Sequence, residues 1–313
     1  MDSIVTIGVP VFNGEKSIRK TLNSVLEQTF ENFELIISDN ASTDSTYDIC
    51  KEFTEKDDRI KYVKQKEHSG YIQNFLYLLN NAKSKCFVWL AADDFWDKDF
   101  LKKNIEILDK KRNVVGSIGK TGILGERYQK FDENQKDSFY LKKYKKFRRR
   151  FLSYDYPGAY GNYEERLKAC FKTLRYGLSI YAVYRTTELK KSANWRIKQW
   201  DRSTILTVLR YGDLHVIDEV LIYRNYGGQS DNNLIDLYRH KDVKFSTMLF
   251  PYASYTKWCL KYLGRKIFLK NLNYFFKINC YGPLIILLGI KNYLASRNSK
   301  NREYYIDEDL KLN

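Results

Sequence analysis

Two adjacent carboxylates, Asp93 and Asp94, lie in the run Leu90-Ala91-Ala92-Asp93-Asp94-Phe95-Trp96. The apolar stretch before them, Cys86 to Leu90, reads as a buried strand. Carboxylates at the carboxyl end of such a strand face the crevice where open α/β sheets take up ligands. Side by side they repel, so the pair favours a cation, and a divalent metal bridging diphosphate oxygens is the natural guest. The same residues can instead cap the helix that follows. A third carboxylate, Asp39, ends another apolar run, Phe33 to Ser38. It can accept the imide N–H of uracil or thymine, a donor that cytosine lacks, or it can close an Asx turn. Pro10 and Phe12 stand at the end of a further apolar run, where they can wall a pyrimidine ring.

The elements that must position these residues follow from periodicity. The first strand is Ile4 to Val9, apolar as a strand covered on both faces should be. Ile18, Leu22, Val25 and Leu26 then recur at helical spacing. The strand before Asp39 leads to a helix that buries Thr46, Ile49, Cys50 and Phe53, with Ser42 or Thr43 as N-cap. A strand at 60–64 precedes a helix presenting Ile72, Phe75, Leu76 and Leu79, and the strand before the acidic pair precedes a helix over 98–110. Strand alternating with helix predicts a parallel, doubly wound α/β sheet.

The segments Val9-Pro10-Val11-Phe12-Asn13-Gly14, Ser24-Val25-Leu26-Glu27-Gln28-Thr29-Phe30, Ser38-Asp39-Asn40-Ala41-Ser42-Thr43-Asp44 and Leu90-Ala91-Ala92-Asp93-Asp94 occur in order. With these segments the chain resembles the family 2 glycosyltransferases, closely over about 3–115 and loosely over 175–232. The resemblance implies a GT-A fold: a Rossmann-like, mostly parallel central sheet flanked by helices. It also implies a nucleotide-sugar donor, a divalent metal (Mn²⁺ or Mg²⁺) and inversion at the anomeric carbon. Pro10, Phe12, Asn13, Asp39, Asn40, Gly70, Asn74 and Asp93 are then the expected donor contacts, with Asp39 on the uracil imide. Asp94 resembles the direct metal ligand and Asp93 a ribose or metal-water contact. Ala91 stands where the family often has a leading Asp, so which of Asp93 and Asp94 touches the metal stays open.

An inverting displacement needs a base for the acceptor's proton. The resemblance points to Asp201, in Lys198-Gln199-Trp200-Asp201-Arg202 at the start of a helix, where a plain first-turn carboxylate is the other reading. Beyond it, a strand near 214–217 and the segment Val220 to Tyr226 match the family's stretch after the base. Tyr226 replaces a His there, and Arg224 can pair with a diphosphate or with a carboxylate of the fold. His68, His215 and His240 have no metal-ligand spacing. His68 reads as an exposed loop residue, although its loop can line the nucleotide.

The chain of 313 residues carries a formal net charge of +16 and 16% aromatic residues. Such a balance predicts an acidic partner: an anionic membrane, a phosphorylated acceptor or a nucleic acid. No nucleic-acid module is recognisable, which disfavours the last. Basic and aromatic residues alternate through 139–152. Across Lys266–Lys277, Phe268, Leu272, Phe275 and Phe276 are expected on one helix face, opposite Lys266, Lys270, Asn273 and Lys277. That pattern suits the plane of an anionic membrane, or packing against the catalytic domain or a second subunit. The apolar run 283–290 is too short to span a bilayer as a helix. Five cysteines without paired spacing argue against a disulfide framework, and the N-terminus enters a strand without a signal peptide.

The expected organisation is a catalytic domain over 1–232, with a nucleotide-sugar half to about 115 and an acceptor half beyond it. A basic, aromatic helical appendage follows over 233–313. The expected activity is metal-dependent inverting transfer of one sugar from a UDP-sugar, or a dTDP-sugar, to a glycan, a lipid-linked saccharide or a polyprenyl phosphate. A processive synthase is disfavoured, because the Gln-x-x-Arg-Trp motif and membrane spans are missing from the sequence. The expected place is the cytoplasmic face of a membrane, with homo-oligomerisation through the C-terminal helices as a further option. The rival reading is a non-catalytic, transferase-like binding protein at a membrane.

Overall fold

The computed structural model describes residues 3–124, 156–173, 176–194, 196–197, 199–225, 250 and 252–280. The chain divides into two compact units, Met1–Gly228 and Gln229–Asn313. The basic run at 139–152, the apolar run at 283–290, Tyr226 and His240 lie outside the described residues.

The first unit opens with the elements the periodicity predicts: β1 (Val5–Val11), α1 (Ile18–Leu26), β2 (Phe33–Asp39), α2 (Thr46–Lys56), β3 (Ile60–Lys64), α3 (Tyr71–Asn81) and β4 (Cys86–Trp89). The N-cap of α2 is Ser45, not Ser42 or Thr43, and α3 buries Asn74, Leu78 and Leu79, leaving Ile72, Phe75 and Leu76 half-buried. All seven β1 residues are buried, which accounts for its unbroken apolar character. Next come β5 (Asp94–Trp96), α4 (Phe100–Lys110), β6 (Val114–Leu124), α5 (Tyr163–Cys170), a 3₁₀ segment (Tyr176–Tyr181), β7 (Val183–Arg185), α6 (Thr186–Ser192), α7 (Trp200–Val208) and β8 (Asp213–Asn225). The segments read separately at 214–217 and 220–226 fall, through Asn225, in the single strand β8.

The sheet runs β3-β2-β1-β4-β7-β6-β8-β5. Its first four strands are parallel, β7 is antiparallel to β4 and β6, β6 and β8 are parallel, and β5 closes the edge antiparallel to β8. Strand order reverses between β1 and β4. At that switch point the carboxyl ends diverge and leave a crevice for a ligand. The turn at Phe12–Asn13 follows β1 and the acidic turn follows β4, so both border the crevice.

In the second unit, α8 (Ala253–Leu263) and α9 (Arg265–Lys270) meet at Gly264, whose φ is +84°. Residues 272–280 are helical as well. Tyr255, Cys259, Leu263, Tyr274, Phe275 and Ile278 are buried, Phe268 stacks on Phe275 at 4.3 Å, and Asn279 Nδ2 donates to Thr256 Oγ1 at 2.8 Å. The single aromatic face expected across 266–277 is therefore not formed. A turn at Asn271 resets the helical phase: Phe275 goes inward, while Leu272 and Phe276 stay exposed. Among the described residues no helix is long and apolar enough to cross a membrane.

Candidate active site

The candidate nucleotide end is built where β1 and β2 finish side by side, with Val11 opposite Asp39. Pro10 is buried, and Phe12 is half-buried with its ring 4.3 Å from that of His68, which is exposed. Asn13 takes a left-handed φ of +49°, a region that Asn tolerates well. From there its amide donates to Ser42 Oγ at 2.8 Å and its Oδ1 accepts the Thr43 amide at 2.9 Å. Asp39 is fully buried: Oδ1 accepts the Ser42 amide at 2.8 Å, and Oδ2 accepts the Tyr62 hydroxyl. Burial, then the hydrogen bond to Asp39, pushes the Tyr62 phenol well up, so it stays a donor. A carboxylate oxygen accepts more than one bond. Asp39 here closes the 39–42 turn and holds Tyr62.

The neighbouring amides serve mainly to hold the crevice wall. Asn40 Oδ1 accepts from the Ser69 amide at 3.0 Å and from Ser69 Oγ at 3.2 Å, and its Nδ2 lies 3.1 Å from His68 Nδ1. These bonds draw the loop before Gly70 onto β2, and Gly70, at φ +84°, opens α3. Asn74 is buried, accepts from Ser38 Oγ at 2.5 Å and donates to the Ser38 carbonyl at 2.8 Å. Its carboxamide ties α3 to the end of β2.

The acidic turn is fixed from α1. The Asp94 amide donates to the Ala91 carbonyl at 3.1 Å, and the Thr21 hydroxyl lies 2.9 Å from the Ala92 carbonyl and 2.8 Å from the Asp94 carbonyl. Gln28, buried just past α1, holds the far side. Its Nε2 donates to the Asp97 carbonyl at 2.7 Å and its Oε1 accepts the Leu101 amide at 2.9 Å. Thr29 Oγ1 donates to Asp99 at 2.7 Å. The Ser24–Phe30 segment therefore acts on the carboxylates at second hand, by pinning the chain on either side of them.

Asp94 begins β5 opposite Arg224 of β8, and Arg224 Nε donates to Asp94 Oδ2 at 3.0 Å, with both side chains nearly buried. Of the two partners open to Arg224 in the sequence, this one is a carboxylate of the fold. The Arg224 guanidinium also lies over the ring of Tyr181, 5.5 Å from its centroid. Burial pushes the Tyr181 phenol up; Arg224 opposes that shift, and Asp94, Asp93 and Asp201 add to it. One hydroxyl thus lies within electrostatic reach of the acidic turn, its arginine and the candidate base.

Asp201 sits in the first turn of α7, with Trp200 packed at 5.3 Å from Phe75 and 5.8 Å from Trp89. Burial raises the Asp201 carboxyl above its ordinary range, against the pull of Arg202. A carboxylate shifted in that direction is a stronger base. Its Oδ2 lies 2.5 Å from where a Cβ on Gly177 would stand. The 3₁₀ segment is held in turn by Tyr184, whose hydroxyl donates to the Ser179 carbonyl at 2.8 Å. Gly177 and Tyr181 were not singled out in the sequence. The cue was weak: a short Gly- and Tyr-bearing stretch with no period of its own.

Among the described residues, no three or more His, Cys, Asp or Glu side chains are grouped to hold a metal ion. Mg²⁺ and Mn²⁺ take hard oxygens, and Mg²⁺ is often held by one or two carboxylates together with phosphate and water. Asp93 and Asp94 fit a metal that the donor's own diphosphate helps to hold. They do not make an all-protein cage, and Asp94 already has Arg224 as a counter-charge.

The glycosyl transferase family 2 model matches residues 6–175. Glycosyltransferase GlyA of Streptococcus pneumoniae is 37% identical over 111 residues, covering 36% of this chain and 15% of that protein. The putative teichuronic acid biosynthesis glycosyltransferase TuaG of Bacillus subtilis is 35% identical over 116 residues, covering 37% of this chain and 46% of that protein. The match thus spans less than half the length of either relative. Staphylococcus aureus TarS 1–349 in complex with UDP-GlcNAc superposes with a TM-score of 0.55 at 18% identity, over 82% of this chain and 73% of that one. The mannosyltransferase PcManGT of Pyrobaculum calidifontis, in complex with GDP-Man and Mn²⁺, gives 0.50 at 14% identity, over 94% and 81%. These two likenesses show a shared GT-A fold. With the family model covering more than half of the chain, including both strand-end turns of the crevice, the chain belongs to glycosyl transferase family 2.

Proposed function

We propose that this chain moves one sugar from a UDP-sugar, with dTDP-sugars next in preference, to an acceptor oxygen with inversion at the anomeric carbon. The observation that carries the reading is the Asp94–Arg224 pair beside Asp93 at the turn after β4, with Arg224 over the Tyr181 ring, together with Asp201 in the first turn of α7 beside the 3₁₀ segment that carries Tyr181. A leaving diphosphate and an acceptor being deprotonated need opposite chemistry a short distance apart, and this cluster supplies both. UDP-GlcNAc in the TarS structure and teichuronic acid in the name of the Bacillus relative support a nucleotide-sugar donor and a cell-surface glycan product.

In this mechanism Asp39 accepts the imide N–H of the base, while Pro10 and Phe12 cover the ring and Asn13 and Asn40 fix the turns around it. Asp93 and Asp94 would hold Mn²⁺ or Mg²⁺, which when bound offsets the charge of the leaving diphosphate. Asp201 takes the proton of the acceptor hydroxyl as that oxygen attacks the anomeric carbon from the face opposite the diphosphate. The bond from carbon to phosphate oxygen breaks, and its electron pair leaves with the diphosphate. Against a phosphate acceptor, already ionised near neutral pH, Asp201 serves to position the nucleophile.

We assign catalysis to residues 1–232 and a membrane-facing role to the basic region 233–313, with a lipid-linked saccharide or polyprenyl phosphate as acceptor at the cytoplasmic face. A thermal-shift screen of UDP, dTDP, GDP and CDP and their sugars, each with Mn²⁺, tests the donor. Stabilisation by UDP and dTDP above the other two is expected. No response to any nucleotide, or a preference for CDP, would overturn the reading.

A further inference from the structure

Residues 243–302 contain eleven Lys or Arg and no Asp or Glu. Within that acid-free stretch the helical region 252–280 leaves four large apolar side chains outside its own small core. Leu260 on α8 is 41% exposed, and from α9 onward Leu269 is 64% exposed, Leu272 50% and Phe276 69%. Cations stand beside them at helical spacing. In α9, Arg265, Lys266, Leu269 and Lys270 are all exposed, at i, i+1, i+4 and i+5. In the run 272–280 the exposed positions are Leu272, Asn273, Phe276, Lys277 and Cys280, which repeat the same period, while Tyr274, Phe275 and Ile278 face inward. Leucine and phenylalanine thus share their outward strips with lysine and arginine.

We propose that this face docks on an anionic lipid bilayer, with Leu269, Leu272 and Phe276 entering the acyl boundary and Arg265, Lys266, Lys270 and Lys277 meeting the headgroups. The charge excludes a cationic or neutral partner as the source of the attraction. The apolar trio distinguishes a bilayer from a nucleic acid, whose phosphates would engage the cations and leave Leu269 and Phe276 in water. Buried apolar area and attraction to anionic lipid together set the strength of interfacial binding. This face gives the membrane placement proposed above its residues, and rests on that reading.

The test is co-sedimentation of the full-length chain with vesicles of phosphatidylcholine alone and of phosphatidylcholine with phosphatidylglycerol, at low and high salt. Preference for the anionic vesicles is expected, with a fraction that resists salt. Each cation near such a surface changes partitioning by about fivefold. Combined Lys266→Glu, Lys270→Glu and Lys277→Glu should therefore weaken binding by at least about 10²-fold. Combined Leu269→Ser, Leu272→Ser and Phe276→Ser should leave binding at low salt and abolish the salt-resistant fraction. A thermal shift with UDP, run on every variant, reports the fold and the donor site independently. Equal and negligible sedimentation with both vesicles overturns the proposal even where UDP still binds. So does vesicle binding that ignores the serine triple variant while duplex DNA or RNA competes it away, since the face would then serve nucleic acid. Vesicle binding without any nucleotide response upholds the surface and removes the donor reading instead.

Discussion

Gly177→Ala isolates the placement of the candidate base from its chemistry. A Cβ at this position would stand 2.5 Å from Asp201 Oδ2, and ordinary contact begins at 3.4 Å, so the carboxylate must retreat by about 0.9 Å. The next clash, with Arg202 Cγ at 3.3 Å, is mild. The carboxylate is the far end of a rotatable side chain, so relief comes by rotation and the fold loses little. A displacement near 1 Å in a reacting group costs on the order of 10²-fold in rate. The expected result is a kcat about 10²-fold below wild type, donor KM nearly unchanged and an unchanged melting temperature. Steady-state release of UDP from a UDP-sugar with an acceptor, alongside thermal unfolding, measures all three. Asp201→Asn should lower kcat by roughly 10²–10⁴-fold, and adding Gly177→Ala to it should cost almost nothing more. A Gly177→Ala enzyme with wild-type kcat would refute the reasoning, as would full additivity of the two substitutions.

Asp94→Asn leaves Arg224 nearly buried beside a neutral group, and breaking one side of a buried ion pair costs about 3–5 kcal/mol. Urea denaturation should show that loss, Asp94→Asn with Arg224→Met should recover part of it, and UDP affinity in Asp94→Asn should no longer respond to EDTA. Because burial raises the folded-state pKa of Asp201, its carboxyl favours folding while protonated and opposes it once ionised. Asp201→Asn should therefore unfold at a higher temperature than wild type near neutral pH, and the gain should vanish as pH falls below the ordinary carboxylate range. Equal gains at both pH values would contradict the burial. Gln28→Ala removes partners from the Asp97 carbonyl and the Leu101 amide, so chemical denaturation should register a loss of about 1–3 kcal/mol, with kcat falling more than donor KM.

The parallel half of the sheet was legible because each element there obeys one period. β1, β2 and β4 are covered on both faces and read as apolar runs, and the helices between them repeat at i and i+4. β6 was not legible, since Gly116, Gly119 and Gly122 interrupt it. At Gly119 the reason is spatial: a Cβ would stand 2.5 Å from that of Leu221 on β8. The carboxylates of the site were legible as charges placed at strand and helix ends. Their partners were not, because Asp94 meets Arg224 across 130 residues and Asp201 meets Gly177 through a 3₁₀ segment. The amphipathic reading of 266–277 failed on one turn. Periodicity was carried through Asn271, and the chain breaks phase there.

That 130-residue separation also sets an order of events during synthesis. β1 to β4 pair among residues 5–89, so this edge of the sheet can form while the rest of the chain is still emerging. The acidic corner must wait for β8, which supplies Arg224 and the strand on which β5 rests. Contacts of large sequence separation form slowly, because loop closure precedes any gain. A nascent chain released before residue 213 would carry the β3-β2-β1-β4 edge and Asp94 without its counter-charge. The acidic corner is therefore completed only once β8 is in place, and substitutions in β8 should appear as slow or aborted maturation before they appear as weak donor binding.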